Sequence, residues 1–381
     1  MKYFSNVGTY AVLVVYIVSF LLHFILPARV VKGYACDNNG KQLLYRLNGP
    51  LLFVFTGLLF YYSPPSSLHT VLYDDYWYAL ITANIAGIGM SLYFYFRCNV
   101  QEKYSRCITI DQVESTSTGK VKNNVKLGIK CNSVLTNFFV GMEWNPRLFR
   151  NSMTMTMNNM TDYGVDVKMW LYLVGAICLE CNILSCVYKQ LELWNEISYA
   201  MLIYSFCFSI FLLEYLILEE IHLYTYDIFA EKIGFKLCWG CLVFYPFIYC
   251  IGAFPLVVTN PKFDISVSTA WCILGVYIIG WCITRGANLQ KYYCRKYPTE
   301  TTFMFGLVSQ EKLPGTQLLI SGWWGVARHF NYAGEIIQAV ALAIPGFLVS
   351  DSWGYAVLPL LYPLYYVLLF IPRQIDDEEV C

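Results

Sequence analysis

The sequence predicts an all-α polytopic membrane protein, a bundle of about nine transmembrane helices. Three observations predict it. Of 381 residues, 57% are apolar and 14% charged, against about 25% charged in a soluble domain. The mean hydropathy is +0.47. Apolar runs recur along the whole chain, most of them near the length of about 20 residues that crosses a bilayer.

Taken in order, the runs lie near residues 9–27, 49–63, 77–97, 169–187, 197–218, 237–258, 269–284, 336–349 and 354–371. The shorter ones need tilt or re-entrance. The first run is too long for a signal peptide and no small-residue cleavage site follows it, so it reads as the first span. Lys and Arg alternate between connections. Residues 28–48 carry Arg29, Lys32, Lys41 and Arg46, residues 64–76 carry none, and residues 285–334 carry six. By the positive-inside rule the odd connections face the cytosol, which puts the N-terminus in the lumen and the C-terminus in the cytosol. The polar stretch 151–161 holds a sequon at Asn159, which this topology leaves unused on the cytosolic side. No internal repeat marks inverted transporter halves. One domain, residues 1–381, is expected.

Net charge is zero, so no basic field invites nucleic acid. Fifteen cysteines include the CxxC pairs Cys178/Cys181 and Cys238/Cys241. Both fall in apolar runs, where cysteine packs as a small hydrophobe, and no metal is expected.

Three polar clusters stand out. In "RGANLQKYYCRK" (285–296), Lys291 and Arg295 are four apart and share a face if the helix continues out of the membrane. Two such cations can grip a phosphate, or bind anionic lipid. In "SGWWGVARHFNYAGE" (321–335), two tryptophans precede Arg328, His329, Asn331, Tyr332 and Glu335. This composition suits a pocket for a flat polar ligand, and also an interfacial aromatic belt. In "LEEIHLYTYDI" (218–228), Glu219, Glu220 and Asp227 stand at the edge of a span, where carboxylates are either functional or simply hydrated.

Together these stretches resemble the sterol reductase family, membrane enzymes that saturate sterol double bonds with NADPH. The membrane domain of the lamin B receptor is similar. "GKQLLYRLNG" (40–49), "NFFVGMEWNPR" (137–147), "VDVKMW" (165–170) and "GFKLCWGCLVFYPFIY" (234–249) extend the resemblance over most of the chain. It implies about ten helices, a cytosol-facing NADPH pocket, an apolar pocket open to sterol from the bilayer, and the endoplasmic reticulum membrane with the contiguous nuclear envelope. Carried over residue by residue, it assigns Lys291, Arg295, Trp324, Arg328, His329, Asn331, Tyr332, Glu335 and Arg373 to the cofactor. Glu335 stands where the family has Asp. Reduction of an isolated alkene requires protonation before hydride transfer. Asp377, Glu220 and Asp227 are the expected acids, with Tyr249 as a relay, because burial beside an apolar cavity raises a carboxyl pKa.

The chain departs from the family at several places. Tyr172 and Val174 stand at the Glu and Arg of Glu-x-Arg-Pro-Gly. Cys241 stands at the Asp of Trp-Gly-Asp. Pro372 replaces a His and Asp376 an Arg, and the sequence stops at Cys381, ahead of the family's Lys-Tyr-Gly and Tyr-Arg tail. Stretches 40–49 and 285–291 look like Δ14-reductases, and stretches 140–147 and 325–332 like Δ7-reductases. The resemblance favours Δ14. It leaves open a Δ7 enzyme, or a silent sterol-binding scaffold.

Overall fold

The computed structural model describes residues 6–37, 40–62, 69–97, 108–109, 133–148, 164–314 and 318–380, with the backbone alone at 108–109 and 376–380. The stretch around Asn159 lies outside the described residues. Nine helices carry the apolar runs: α1 (Val7–Ile25), α2 (Gly49–Tyr62), α3 (Tyr76–Arg97), α4 (Val167–Trp194), α5 (Tyr199–Ile217), α6 (Phe235–Val258), α7 (Val267–Lys296), α8 (Phe330–Val349) and α9 (Leu361–Val380). Among the described residues, eight spans are long and apolar enough to cross a membrane, the last being Trp353–Ile375. The run at 49–63 forms the 14-residue helix α2. At 1.5 Å per residue it is about 21 Å long, short of the roughly 30 Å hydrocarbon core. A polytopic helical membrane protein is therefore what the chain forms.

The described chain gathers into two compact units, Met1–Ser185 with Phe211–Tyr249, and Cys186–Ile210 with Cys250–Cys381.

In the first unit the connection after α1 is not an irregular loop. It forms a hairpin of β1 (Arg29–Cys36) and β2 (Gln42–Leu47), paired antiparallel from Arg29↔Leu47 to Lys32↔Leu44, and the short strand β3 (Ile108–Thr109) pairs antiparallel with the end of β1. Pro27 cannot continue α1, and the runs on either side of Asp37–Gly40 are rich in β-branched and aromatic residues. A helix ending at a membrane surface leaves its last carbonyls without partners. Here the hairpin supplies them. The Arg46 guanidinium donates to the carbonyls of His23, Phe24 and Leu26, and Asn48 Nδ2 donates to His23 O at 3.1 Å.

A second knot joins three of the family-like stretches. Two-residue strands β4 (Arg147–Leu148) and β5 (Val165–Asp166) pair antiparallel. Arg147 lies 3.3 Å from Asp166, donates to Leu44 O at 2.7 Å, and sits over the Tyr45 ring at 4.5 Å. Asp166 Oδ1 also accepts from Met169 N at 3.0 Å, at the start of α4. The stretches 40–49, 137–147 and 165–170 are thus held together by one buried ion pair.

Helix α6 changes winding. Gly240–Ile248 is a π-helix containing Pro246, followed by a 3-10 turn, Tyr249–Gly252. Proline lacks the N–H that an α-helix needs at that place, and a π segment is one way to absorb the mismatch. On the first-unit side of this segment, Asn182 Nδ2 donates to Pro246 O at 3.2 Å.

In the second unit α7 runs past the membrane to Lys296, so "RGANLQKYYCRK" is helical, as the spacing of its cations requires. Helix α8 begins at Phe330, earlier than its apolar run suggests. The two helices approach closely through small residues, as membrane helices do. A side chain at Gly280 would collide with Gln338 and the Gly334 carbonyl. The connection between them carries a small hairpin, β6 (Thr302–Phe303) with β7 (Val308–Ser309).

Candidate functional site

The candidate residues fall into two sets, one in each unit.

In the second unit, α7, the stretch 321–335 and α9 carry the residues assigned to a cofactor. The stretch is bolted to α7 by uncharged polar groups. Gln290 is fully buried. Its Nε2 donates to Ser309 O at 3.2 Å and Ser321 O at 3.1 Å, and its Oε1 accepts from Trp323 N at 3.1 Å. Trp324 Nε1 donates to Ala287 O at 2.9 Å, and Asn331 Nδ2 to Asn288 Oδ1 at 3.2 Å. Gly286 leaves room for the Trp323 ring, which any larger residue there would strike.

This scaffold sets the charged residues. Exposed Lys291 has its Nζ 4.9 Å from the centre of the Trp324 ring. Such a cation over a tryptophan face contributes about 0.5–1 kcal/mol at an exposed site. Arg295 lies one turn further on, half-buried, and Arg328 is exposed. Asn331 has a second feature: its Oδ1 is buried and has no hydrogen-bond partner among the described residues. A buried acceptor in this state costs on the order of 1–3 kcal/mol unless something donates to it.

Beyond Asn331 runs a stack of rings. His329 stacks on Tyr332 at 5.1 Å, Tyr332 on Phe370 of α9 at 4.1 Å with planes 2° apart, and Phe370 on Tyr366 at 5.2 Å. Arg373 follows Phe370 by three residues, on the same side of α9, and is half-buried, as is Glu335. Asp377 falls on α9, but its side chain lies outside the described residues.

In the first unit, Glu219 and Glu220 begin the short helix Glu219–His222. Their surroundings differ. Glu220 Oε2 is 2.8 Å from Arg29 Nη2, an ion pair at the surface of the unit. Glu219 is buried, 6% exposed, and its Oε1 accepts from Gly49 N, the first residue of α2, at 2.7 Å. Burial pushes the Glu219 carboxyl up to about 8, outweighing the lowering effects of the Gly49 hydrogen bond and of Arg29. Of the two, Glu219 is the one whose burial favours the protonated form. Asp227 is half-buried in the first turn of Tyr226–Phe229, and Lys168, fully buried, donates to the carbonyls of Ile228 and Glu231 just beyond it. Tyr249 is half-buried, with ring contacts to Tyr245 at 5.0 Å and Phe244 at 5.8 Å. Two of the departures from the family pattern, Tyr172 and Cys241, are electrostatic neighbours here, and Asp227 adjoins Tyr172 as well. The four CxxC cysteines are buried.

Several residues of this arrangement were not singled out from sequence. Gln290 and Asn288 carry no charge and belong to no catalytic pattern. The signal that could have found Gln290 is its place in the buried stripe Ala287–Gln290–Cys294, which repeats at helical spacing.

A sequence model of the Ergosterol biosynthesis ERG4/ERG24 family matches residues 2–381. Similar curated proteins include a Delta(14)-sterol reductase of Methylotuvimicrobium alcaliphilum, 29% identical over 93% of this chain and 73% of its own. That of Arabidopsis thaliana is 27% identical over 94% and 85%. The Delta(14)-sterol reductase LBR of Gallus gallus is 29% identical over 94% of this chain and 50% of its own length. With a matched region that covers essentially the whole chain and a fold of membrane-spanning helices, this protein belongs to the Ergosterol biosynthesis ERG4/ERG24 family.

Proposed function

We propose that the chain is an NADPH-dependent Δ14-sterol reductase of the endoplasmic reticulum membrane. The observation that carries the cofactor assignment is the surface built by α7 and residues 321–335. A nicotinamide dinucleotide phosphate needs cations for its phosphates, a flat apolar face for a ring, and an acceptor for its carboxamide. Lys291, Arg295 and Arg328 are the cations. Trp324 is a face held in place by Ala287. Asn331 Oδ1 is a buried acceptor in want of a donor. His329, Tyr332, Glu335 and Arg373 complete the set. These residues fit the group, which when bound supplies hydride. The choice of the Δ14 bond rests on the names of the relatives.

The chain itself must supply the proton. Asp377, Glu220 and Asp227 are acids that the resemblance brings forward, with Tyr249 as a relay. The geometry adds Glu219. Its Oε1 accepts from the Gly49 N–H, and burial favours the protonated carboxyl, which leaves Oε2 as the oxygen available to hold the proton. Glu220 serves better as the partner that holds Arg29 beside it.

A second reading is a sterol-binding protein without activity. The exchange of two family carboxylate and guanidinium positions for Tyr172 and Val174, and of an aspartate for Cys241 beside Asp227, favours it. Sterol profiling separates the readings. The chain is expressed in a yeast strain lacking its own Δ14-reductase, with Arg295→Ala as control. Loss of the Δ14 intermediate, and its return in the control, supports the proposal. Persistence of Δ14 sterol despite good expression refutes it. The same test on Δ7 substrates then decides between a Δ7 enzyme and the silent protein.

A further inference from the structure

Residues 297–329 join two spans, and they expose a run of large apolar side chains. At the β6–β7 turn Phe305 is fully exposed, Leu307 is 81% exposed and Met304 is 47% exposed. The turn is also strained. Met304, Phe305 and Gly306 have φ of +51°, +56° and +89°. Two consecutive non-glycine residues in the left-handed region cost free energy, and here they hold a phenylalanine out in the open. In water this arrangement loses on both counts.

The level of the turn relative to the bilayer follows from α7. From Val267 to Thr284 the helix has no charged residue, and Arg285 is the first. Those residues span about 27 Å, close to the thickness of the hydrocarbon core. The core boundary therefore lies near Arg285. The Trp323 ring packs at Gly286, and Asn331 bonds Asn288, so Trp323 and Phe330 sit at that same boundary. An open apolar groove of about 470 Å³ runs from them to the turn, with Met304, Leu307, Val308 and Val326 among its walls. The turn residues Met304 and Leu307 thus share one groove with Trp323 and Phe330.

We infer that the β6–β7 turn is a membrane anchor: Phe305 and Leu307 insert into the headgroup–acyl boundary of the bilayer that α7 and α8 cross, and phospholipid fills the groove behind them. Apolar side chains placed at that depth leave water, and the left-handed turn directs them there. The anchor ties down the connection that carries Trp323 to His329. It does not depend on which sterol the protein reduces, or on whether it reduces one.

The test uses the full chain in phospholipid nanodiscs. p-Benzoylphenylalanine replaces Phe305, a change that a fully exposed side chain tolerates. The same probe at Leu368, exposed on span α9, reports lipid contact. At Glu300, exposed earlier on the same connection, it reports solvent. After irradiation, peptides are weighed for phospholipid adducts. The expected result is an adduct yield at position 305 near that at 368 and several-fold above that at 300. A yield at 305 equal to that at 300 overturns the inference. So does capture of a second protein chain at 305, which would make the turn a protein docking site.

Discussion

The Arg147–Asp166 pair offers a sharp test, because it is a buried ion pair that joins stretches marking the family. Both residues lie in stretches that mark the family, and such charged residues invite a catalytic reading. The structure gives them a holding role. Their side chains are 8% and 3% exposed and 3.3 Å apart. Arg147→Ala leaves Asp166 buried without its counter-ion, a loss of about 3–5 kcal/mol. It also removes the hydrogen bond to Leu44 O, about 1 kcal/mol, and the stacking on Tyr45, about 1 kcal/mol. These terms share one side chain and do not simply add, so about 4–5 kcal/mol is the working figure. At about 2–4 °C per kcal/mol, the apparent unfolding midpoint falls by roughly 10 °C or more. The assay is thermal challenge in detergent, followed by size-exclusion chromatography of the surviving folded fraction. Asp166→Asn is expected to lose less, since the amide remains and no charge is stranded on the aspartate side. Arg147→Met with Asp166→Asn is expected to recover much of the single-variant loss, because replacing both charged partners by uncharged side chains removes the ionic desolvation cost along with the attraction. A midpoint within about 2 °C of wild type for Arg147→Ala, combined with lost sterol conversion, would refute the holding role and make Arg147 part of the chemistry.

Three further outcomes follow. Lys291→Ala and Arg295→Ala are each expected to weaken NADPH binding about tenfold or more, the value of a charge-assisted hydrogen bond, with an unchanged unfolding midpoint; titration of nucleotide fluorescence at two salt concentrations measures it, and unchanged affinity in both variants removes the cations from the site. The Glu219 carboxyl binds its proton more tightly in the fold than in the unfolded chain, raised from 4.5 to about 8. Its stabilisation is therefore complete below about pH 4.5 and is lost as pH rises through about 8, with a limit near 5 kcal/mol. Glu219→Gln keeps an acceptor for Gly49 N and cannot ionise, so its midpoint should stay level over the window in which the wild type declines, and a level wild-type profile would show that the carboxyl is not raised. Gly286→Ala should collide with Trp323 and cost about 1–3 kcal/mol of overpacking, read as a lowered midpoint and weaker NADPH binding together; a neutral result would mean that the Trp323 ring is not seated on α7.

How much of this was legible in the sequence depends on what kind of force fixes each part. Apolar run length reports the cost of exposing backbone and charge to hydrocarbon, so all nine helices were found near their places. Their ends were not, because α7 continues to Lys296 on the strength of polar contacts such as Gln290 to Ser321 O, which hydropathy does not see. The β1–β2 hairpin was missed for a related reason. Between two spans the charges of this connection dominate its reading, while "RVVKGYAC" and "QLLYRL" carry the strand signal in their β-branched and aromatic content. Glu219 and Glu220 show a harder limit. They are adjacent and chemically identical, and only the fold turns one toward Gly49 and the other toward Arg29. The same limit applies to the basic residues of the family-like stretches. Arg46 spends its guanidinium on the last carbonyls of α1, and Arg147 spends its own on Asp166 and Leu44. Lys291 lies on the open face of Trp324, outside the protein core. Within the family-like stretches, then, Arg46 and Arg147 answer the protein's own acceptors, while Lys291 lies exposed against a tryptophan ring. The proposed nucleotide surface contains Lys291 and Arg295 and neither Arg46 nor Arg147, so those two are the residues to mutate first when nucleotide binding is the question.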